Sequence, residues 1–215
     1  MSFNADRRGE NRFTLMGETL SRIRRTFGGQ STRFPPGLPP GRYFWGAHAK
    51  DRLWVSLNFV PHQKMQVDMW WNSFVCAPVV TLCFGLYPHS VEFGELLGNG
   101  FNHPQFHQKG FGSLAVNTAV QALQSVCSPA TRIEGLLSNT EEDGLPTGDK
   151  NRLAKERRFF WSRFGVGLIP QGPLNDIYLC GTVGALTPLR DGQVADQFPR
   201  FVPLESFSPA RPELP

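Results

Sequence analysis

Over residues 52–60, apolar Leu53, Val55, Leu57 and Phe59 alternate with Trp54, Ser56 and Asn58, the period of a strand with one buried face. Pro61-His62-Gln63-Lys64 breaks the run. Met65, Val67, Met69 and Trp71 then resume it, which predicts a hairpin partner. Residues 78–86 and 91–97 predict two further strands, separated by the turn Tyr87-Pro88-His89. After a loop at 98–106 the period changes. Leu114, Ala115, Thr118, Ala119, Ala122 and Leu123 are spaced as one face of a helix over 113–125. A strand at 132–137 is expected to lie parallel to 91–97, because a helical crossover returns the chain to the same sheet. Residues 139–150 (NTEEDGLPTGDK) predict a loop. A helix follows at 151–164, with Leu153, Arg157, Phe160, Trp161 and Phe164 on a mixed aromatic face and Gly165 at its end, and 176–183 is the final strand. The expected class is α/β (α+β): a mixed, mainly antiparallel central sheet flanked by helices.

The two ends do not share this regularity. Leu15, Met16, Thr19, Leu20, Ile23 and Phe27 trace a short helix stopped by Gly28-Gly29, and RFPPGLPPG at 33–41 predicts an extended linker. Residues 1–46 are therefore read as an N-terminal extension, 47–184 as the folded domain and 185–215 as a tail. That tail is rich in Pro and Phe, and it either wraps the core through Phe198, Phe201 and Phe207 or stays mobile.

A length of 215 residues with 40% hydrophobic positions supports one domain with extensions. No apolar run approaches the roughly 20 residues that span a bilayer, so no membrane partner is expected. Cys76, Cys83, Cys127 and Cys180 form no CxxC pair, which removes metal and redox spacing and fits buried thiols in a reducing cytoplasm. The net charge of +4 is modest, but Arg7, Arg8, Arg12, Arg22, Arg24, Arg25 and Arg33 make the N-terminal region basic. This admits a phosphate or acidic-protein contact, or a solvated face.

The chemistry concentrates at His107-Gln108-Lys109-Gly110-Phe111-Gly112-Ser113, between a predicted strand and a predicted helix. The first amides of a helix have no internal partner and carry its positive dipole end. Glycines let an anion approach them, and Lys109 adds a cation. This stretch resembles the acyl-CoA pyrophosphate loop of the GCN5-related N-acetyltransferase family: Gln or Arg, two residues, Gly, one residue, then Gly or Ala. Here His107 stands at the first position. Residues 131–138 are similar to that family's next strand, and Phe160-Trp161-Ser162-Arg163-Phe164-Gly165-Val166 to its aromatic motif before a glycine. The resemblance spans roughly residues 79–183.

The resemblance implies an acetyl-CoA-dependent transferase acting on an amine by direct transfer in a ternary complex. The implied donor-binding residues are Leu97, Gln108, Lys109, Gly110, Phe111, Gly112, Ser113 and Trp161. A bulge or splay within residues 94–99 would open the slot for the donor. The base is expected to be Glu92, with Glu95 and Glu134 as the other carboxylates; an odd separation puts Glu92 and Glu95 on opposite faces of a regular strand. Trp161 stands where the family places a proton-donating tyrosine, and an indole has no such proton to give. The acceptor class (small molecule, protein or aminoacyl-tRNA) is left open, and an exposed sheet edge admits a homodimer. A non-catalytic acyl-CoA-binding or protein-interaction module, and a tRNA-associated enzyme using the basic N-terminal region, are the alternatives.

Overall fold

A computed structural model of the chain describes residues 37–72, 77–98, 104–106, 108–137, 146–171 and 176–209. Eight strands form one sheet in the order β1-β2-β3-β4-β5-β6-β8-β7. They are β1 Gly41–His48, β2 Arg52–Val60, β3 Lys64–Trp71, β4 Val80–Leu86, β5 Ser90–Gly98, β6 Arg132–Leu137, β7 Gly167–Gln171 and β8 Asp176–Thr182. Every neighbouring pair is antiparallel except β5 and β6, which are parallel and joined through helix α1, Phe111–Val126. A second helix, α2, spans Thr147–Ser162. The protein is thus mixed α+β with a mainly antiparallel sheet and few helices.

The alternation seen in the sequence sorts the two faces. Leu53, Val55, Leu57, Met65, Val67, Met69, Leu82, Phe84, Val91 and Ile133 are buried, and α1 lies against β2, β3 and β4 on that side. α1 itself is buried over most of its circumference. Its amide side chains explain why, since Asn117, Gln121 and Gln124 recur at helical spacing and each binds tail backbone. Asn117 Nδ2 donates to the Leu189 and Arg200 carbonyls at 2.8 Å each, and its Oδ1 accepts from the Leu189 amide at 2.7 Å. Gln121 donates to the Val202 carbonyl and Gln124 to that of Leu186. Leu186, Val194, Phe198, Val202 and Phe207 are buried in the same core. Of the two readings of the tail, the structure has the wrapped one over residues 186–208, through Phe198 and Phe207 but not Phe201, which is half-buried under the Arg190 guanidinium.

Other boundaries shift. β1 starts at Gly41, so the sheet takes in residues assigned to the extension and linker; in GRYFWGAH, glycines and aromatics hide the two-residue period. β7 was not anticipated; it is a five-residue edge strand containing Pro170, where a missing N–H is tolerated. A hairpin of β9, Gln193–Val194, and β10, Phe198–Pro199, lies in the tail. α2 begins four residues earlier than its periodicity suggests, after Pro146, with Asp149 favourably placed in its first turn. At the β1 edge, Ser208 exchanges backbone hydrogen bonds with Phe44, so both edges of the sheet are partly blunted against strand addition. The predicted helix at 15–27 lies outside the described residues. Among the described residues no helix is long and apolar enough to cross a membrane.

Candidate functional site

The glycine stretch is held by an aromatic cluster from the sheet, the preceding loop and the tail. The Trp71 ring on β3 meets Phe106, Phe111 and Phe198 at 5.9, 5.4 and 5.7 Å between centroids, and Phe106 meets Phe111 at 5.3 Å. This aromatic cluster fixes the loop before α1, the first residue of α1 and the tail hairpin against the sheet end. Gln108 adopts φ 57° and Gly110 φ 87°, both left-handed. Gly110 is the N-cap; no side chain caps the helix, and no acidic residue lies in its first turn. The first helical bond runs from the Leu114 amide to the Gly110 carbonyl at 3.1 Å, so the amides of Phe111, Gly112 and Ser113 precede the helical ladder.

The two glycines have different reasons. A Cβ on Gly110 would sit 2.5 Å from the Gln193 carbonyl oxygen, so this residue is glycine because the tail hairpin passes against it. A Cβ on Gly112 would meet only Phe160 at 3.6 Å and Leu96 at 3.9 Å, ordinary contact. Beside them the Lys109 carbonyl accepts from the Ala195 amide at 2.8 Å, and Lys109 Nζ pairs with Asp196 at 3.4 Å. Both side chains of that pair are largely exposed, so it holds Lys109 weakly.

Next to this helix start the sheet opens. β5 and β6 pair only from Ser90–Phe93 to Arg132–Gly135. Beyond that rung β5 follows β4 as far as Gly98, and β6 follows β8 as far as Leu137. Where they part, β5 carries a bulge: Leu82 faces Leu96 and Phe84 faces Phe93, leaving Gly94 and Glu95 together opposite Cys83. A Cβ on Gly94 would lie 2.9 Å from the Cys83 carbonyl oxygen, and one on Gly135 would lie 2.7 Å from Phe93 Cβ, so both glycines let the strands close up at the point of divergence. Phe93 is met edge-on by Trp161 at 5.1 Å, and Trp161 by Phe160 at 5.2 Å. The diverging strand ends, the uncapped start of α1 and Phe160 of α2 therefore meet in one place.

The carboxylates lie on the sheet face opposite α1. Glu92 and Glu134 are direct partners across the parallel pair, Glu92 exposed and Glu134 half-buried. Tyr178 on β8 donates to Glu134 Oε2 at 3.3 Å. Its phenol is pushed up to about 12, first by burial and then by the charge and hydrogen bond of Glu134, with smaller effects of Cys180 and Glu92. Tyr178 is thus protonated at neutral pH and serves as a donor.

Several expectations are sharpened or changed. The bulge falls between Glu92 and Glu95, so strand parity no longer sets their relative faces; the Glu95 side chain lies outside the described residues, as does His107. Leu97 is exposed at the free end of β5, in register with Thr81. Trp161 is 2% exposed and belongs to the core, which leaves Phe160 as the aromatic beside the helix start. Arg157 and Arg158 are half-buried on α2. Cys127 is buried, and desolvation pushes its thiol up to about 12, an inert state. The sequence alone does not single out Tyr178; its link to Glu134 depends on the register of β6 on β8, which no local pattern encodes. No protein-family model matches this chain, and no curated protein or solved structure matches it.

Proposed function

We propose that the chain is an acetyl-CoA-dependent N-acetyltransferase built on the plan of the GCN5-related family, transferring acetyl directly to an amine. The observation that carries this reading is the parting of β5 from β6 beyond Phe93 and Gly135, beside a helix start whose amides no side chain caps. An elongated acyl thioester with a pyrophosphate suits both features at once. Its phosphates suit the amides of Phe111, Gly112 and Ser113, flanked by Gln108 and Lys109. Its acyl arm suits the gap along residues 94–98, where β5 has backbone groups that β6 no longer uses. A Cβ on Gly112 would make only ordinary contact with Phe160 and Leu96, so packing alone does not require glycine there, whereas Gly110 is accounted for by the tail.

Transfer requires the amine to lose a proton, its nitrogen to bond to the thioester carbon, and the carbon–sulfur bond to break. Glu134 is the better base of the paired carboxylates. Tyr178 fixes one of its oxygens and leaves the other able to accept a proton, while Glu92 beside it stands exposed to an arriving amine. The departing thiolate takes its proton from solvent, since Trp161 supplies none. The non-catalytic alternative draws on one observation, the tail hairpin lying directly on the loop with Asp196 at Lys109. The basic N-terminal residues invoked for a tRNA partner lie outside the described residues.

The test is thiol release from acetyl-CoA over a panel of amines. Turnover is expected, and Glu134→Gln is expected to lower kcat by about 10²–10⁴-fold, the usual worth of a positioned base, with donor affinity retained. Acetyl-CoA binding without turnover on any amine would favour the non-catalytic reading.

A further inference from the structure

The tail turn that lies on the glycine loop carries an anion to it. The Gln197 amide closes the turn by donating to the Val194 carbonyl at 3.1 Å, and the two central residues, Ala195 and Asp196, are left-handed at φ 50° and 58°. Two left-handed central residues mark a type I′ hairpin turn, a geometry that Asn and Gly serve as well as Asp does. The rest of the stretch from Val194 to Phe198 is pinned. Val194 and Phe198 are buried, and the Ala195 amide donates to the Lys109 carbonyl at 2.8 Å. Gln197 exchanges hydrogen bonds with Asp51: its Oε1 accepts from the Asp51 amide at 3.1 Å, and its Nε2 donates to Asp51 Oδ2 at 2.8 Å. The Asp196 side chain is 84% exposed, and its one partner among the described residues is Lys109 Nζ at 3.4 Å. The turn needs a left-handed residue at this position but no charge, so backbone geometry does not account for the carboxylate.

The position of that carboxylate is fixed from both sides. Gln108 and Gly110, which flank Lys109, are left-handed too, so the bond from Ala195 to Lys109 joins two constrained backbone segments. Lys109 is the only lysine or arginine between His107 and Ser113, and it directly precedes the N-cap of α1. Asp196 therefore meets the one side-chain cation beside the amides of Phe111, Gly112 and Ser113. We infer that Asp196 sets the affinity of this site for its donor: it competes with the donor's pyrophosphate for Lys109 and repels it, so that the phosphates are held less tightly than the amides and Lys109 alone would hold them. This rests on the acetyl-transfer reading and gives Asp196 a part in binding, not in the transfer itself. Because the turn is pinned, the carboxylate stays beside the site after Lys109 has turned to a phosphate. Acetyl-CoA and coenzyme A carry the same phosphates, so both feel the same repulsion. Weaker capture of the donor is thereby coupled to easier release of the product.

The experiment is calorimetric titration of the full chain with acetyl-CoA, coenzyme A and inorganic pyrophosphate at low salt, beside Asp196→Asn and Asp196→Gly. Both substitutions suit a left-handed position and remove only an exposed ion pair, so the unfolding midpoint should be kept. Loss of the negative charge is expected to tighten binding of all three ligands about threefold to tenfold, with the gain shrinking as salt is added. A merely structural aspartate would lower the midpoint in the variants and leave these affinities unchanged. In a Lys109→Gln background the gain should be smaller, and an equal gain there overturns the competition for Lys109. Unchanged or weaker binding of every ligand in both variants overturns the inference. Pyrophosphate separates this failure from that of the transfer reading. Tighter pyrophosphate binding in both variants, with acetyl-CoA bound no better than pyrophosphate, sinks the transfer reading and supports the role of Asp196. Acetyl-CoA binding to the native protein with no gain in the variants does the reverse, and no binding of any ligand to any form overturns both.

Discussion

Replacing Gly110 by alanine isolates the tail hairpin's grip on the glycine loop. At φ 87° an L-residue costs about 1–2 kcal/mol through its Cβ. That Cβ would lie 2.5 Å from the Gln193 carbonyl oxygen, a backbone atom that moves only if the hairpin withdraws. Withdrawal lengthens the 2.8 Å bond from the Ala195 amide to the Lys109 carbonyl, worth about 1 kcal/mol. The sum is about 2–3 kcal/mol before any loosening of Val194 and Phe198. For a domain of this size, that lowers the melting temperature by roughly 4–12 °C. Gly112→Ala is the control: its Cβ meets only Phe160 and Leu96, at 3.6 and 3.9 Å, and stability should stay within about 0.5 kcal/mol. Urea denaturation of both variants measures the difference. Equal stabilities would refute the assignment of Gly110 to tail packing and of Gly112 to a position with only ordinary contacts.

Asn117→Ala removes three hydrogen bonds from a fully buried amide and strands the Leu189 and Arg200 backbone; a loss of about 3 kcal/mol is expected, with new proteolytic cleavage within residues 189–202. Tyr178 titrates near 12, above its ordinary value of 10, so the folded protein holds that proton more tightly than the unfolded chain. Its contribution is complete below pH 10 and is lost as pH rises toward 12. Tyrosinate absorbance, taken as the difference from Tyr178→Phe, should show this titration, and Glu134→Gln should lower it. Trp161→Ala should cost about 3–5 kcal/mol in denaturant unfolding, because losing its ring contacts to Phe93, Phe160 and Phe164 leaves a core cavity.

The central part of the fold was legible because β2, β3 and β4 alternate and bury the face the period marks, and the apolar positions of α1 recur at helical spacing. Residues 132–137 were readable as a parallel strand because topology leaves a helical crossover few alternatives. The ends were not legible for physical reasons. The tail's order comes from its backbone binding Asn117, Gln121 and Gln124, polar side chains that a periodicity reading assigns to solvent. Its buried Val194, Phe198 and Val202 follow no repeat, because each fits a separate gap around α1. At the site, the glycines and the loop position were readable, but their reasons were not. Gly110 answers to Gln193, far along the chain. The bulge at Gly94 and Glu95 upsets the parity on which the choice between Glu92 and Glu95 rested, and Tyr178 acquires its partner only through strand register.

The measurement that bears most directly on the acetyl-donor site is calorimetric titration of acetyl-CoA into the native protein and Gly112→Asp. An aspartate in the first turn is compatible with the helix dipole, so the variant should remain folded by circular dichroism and denaturant unfolding. It places negative charge where the pyrophosphate is to bind. The account predicts micromolar binding to the native protein and at least tenfold weaker binding to the variant. A folded native protein that takes up no acetyl-CoA, or a variant that binds it equally well, would contradict the account.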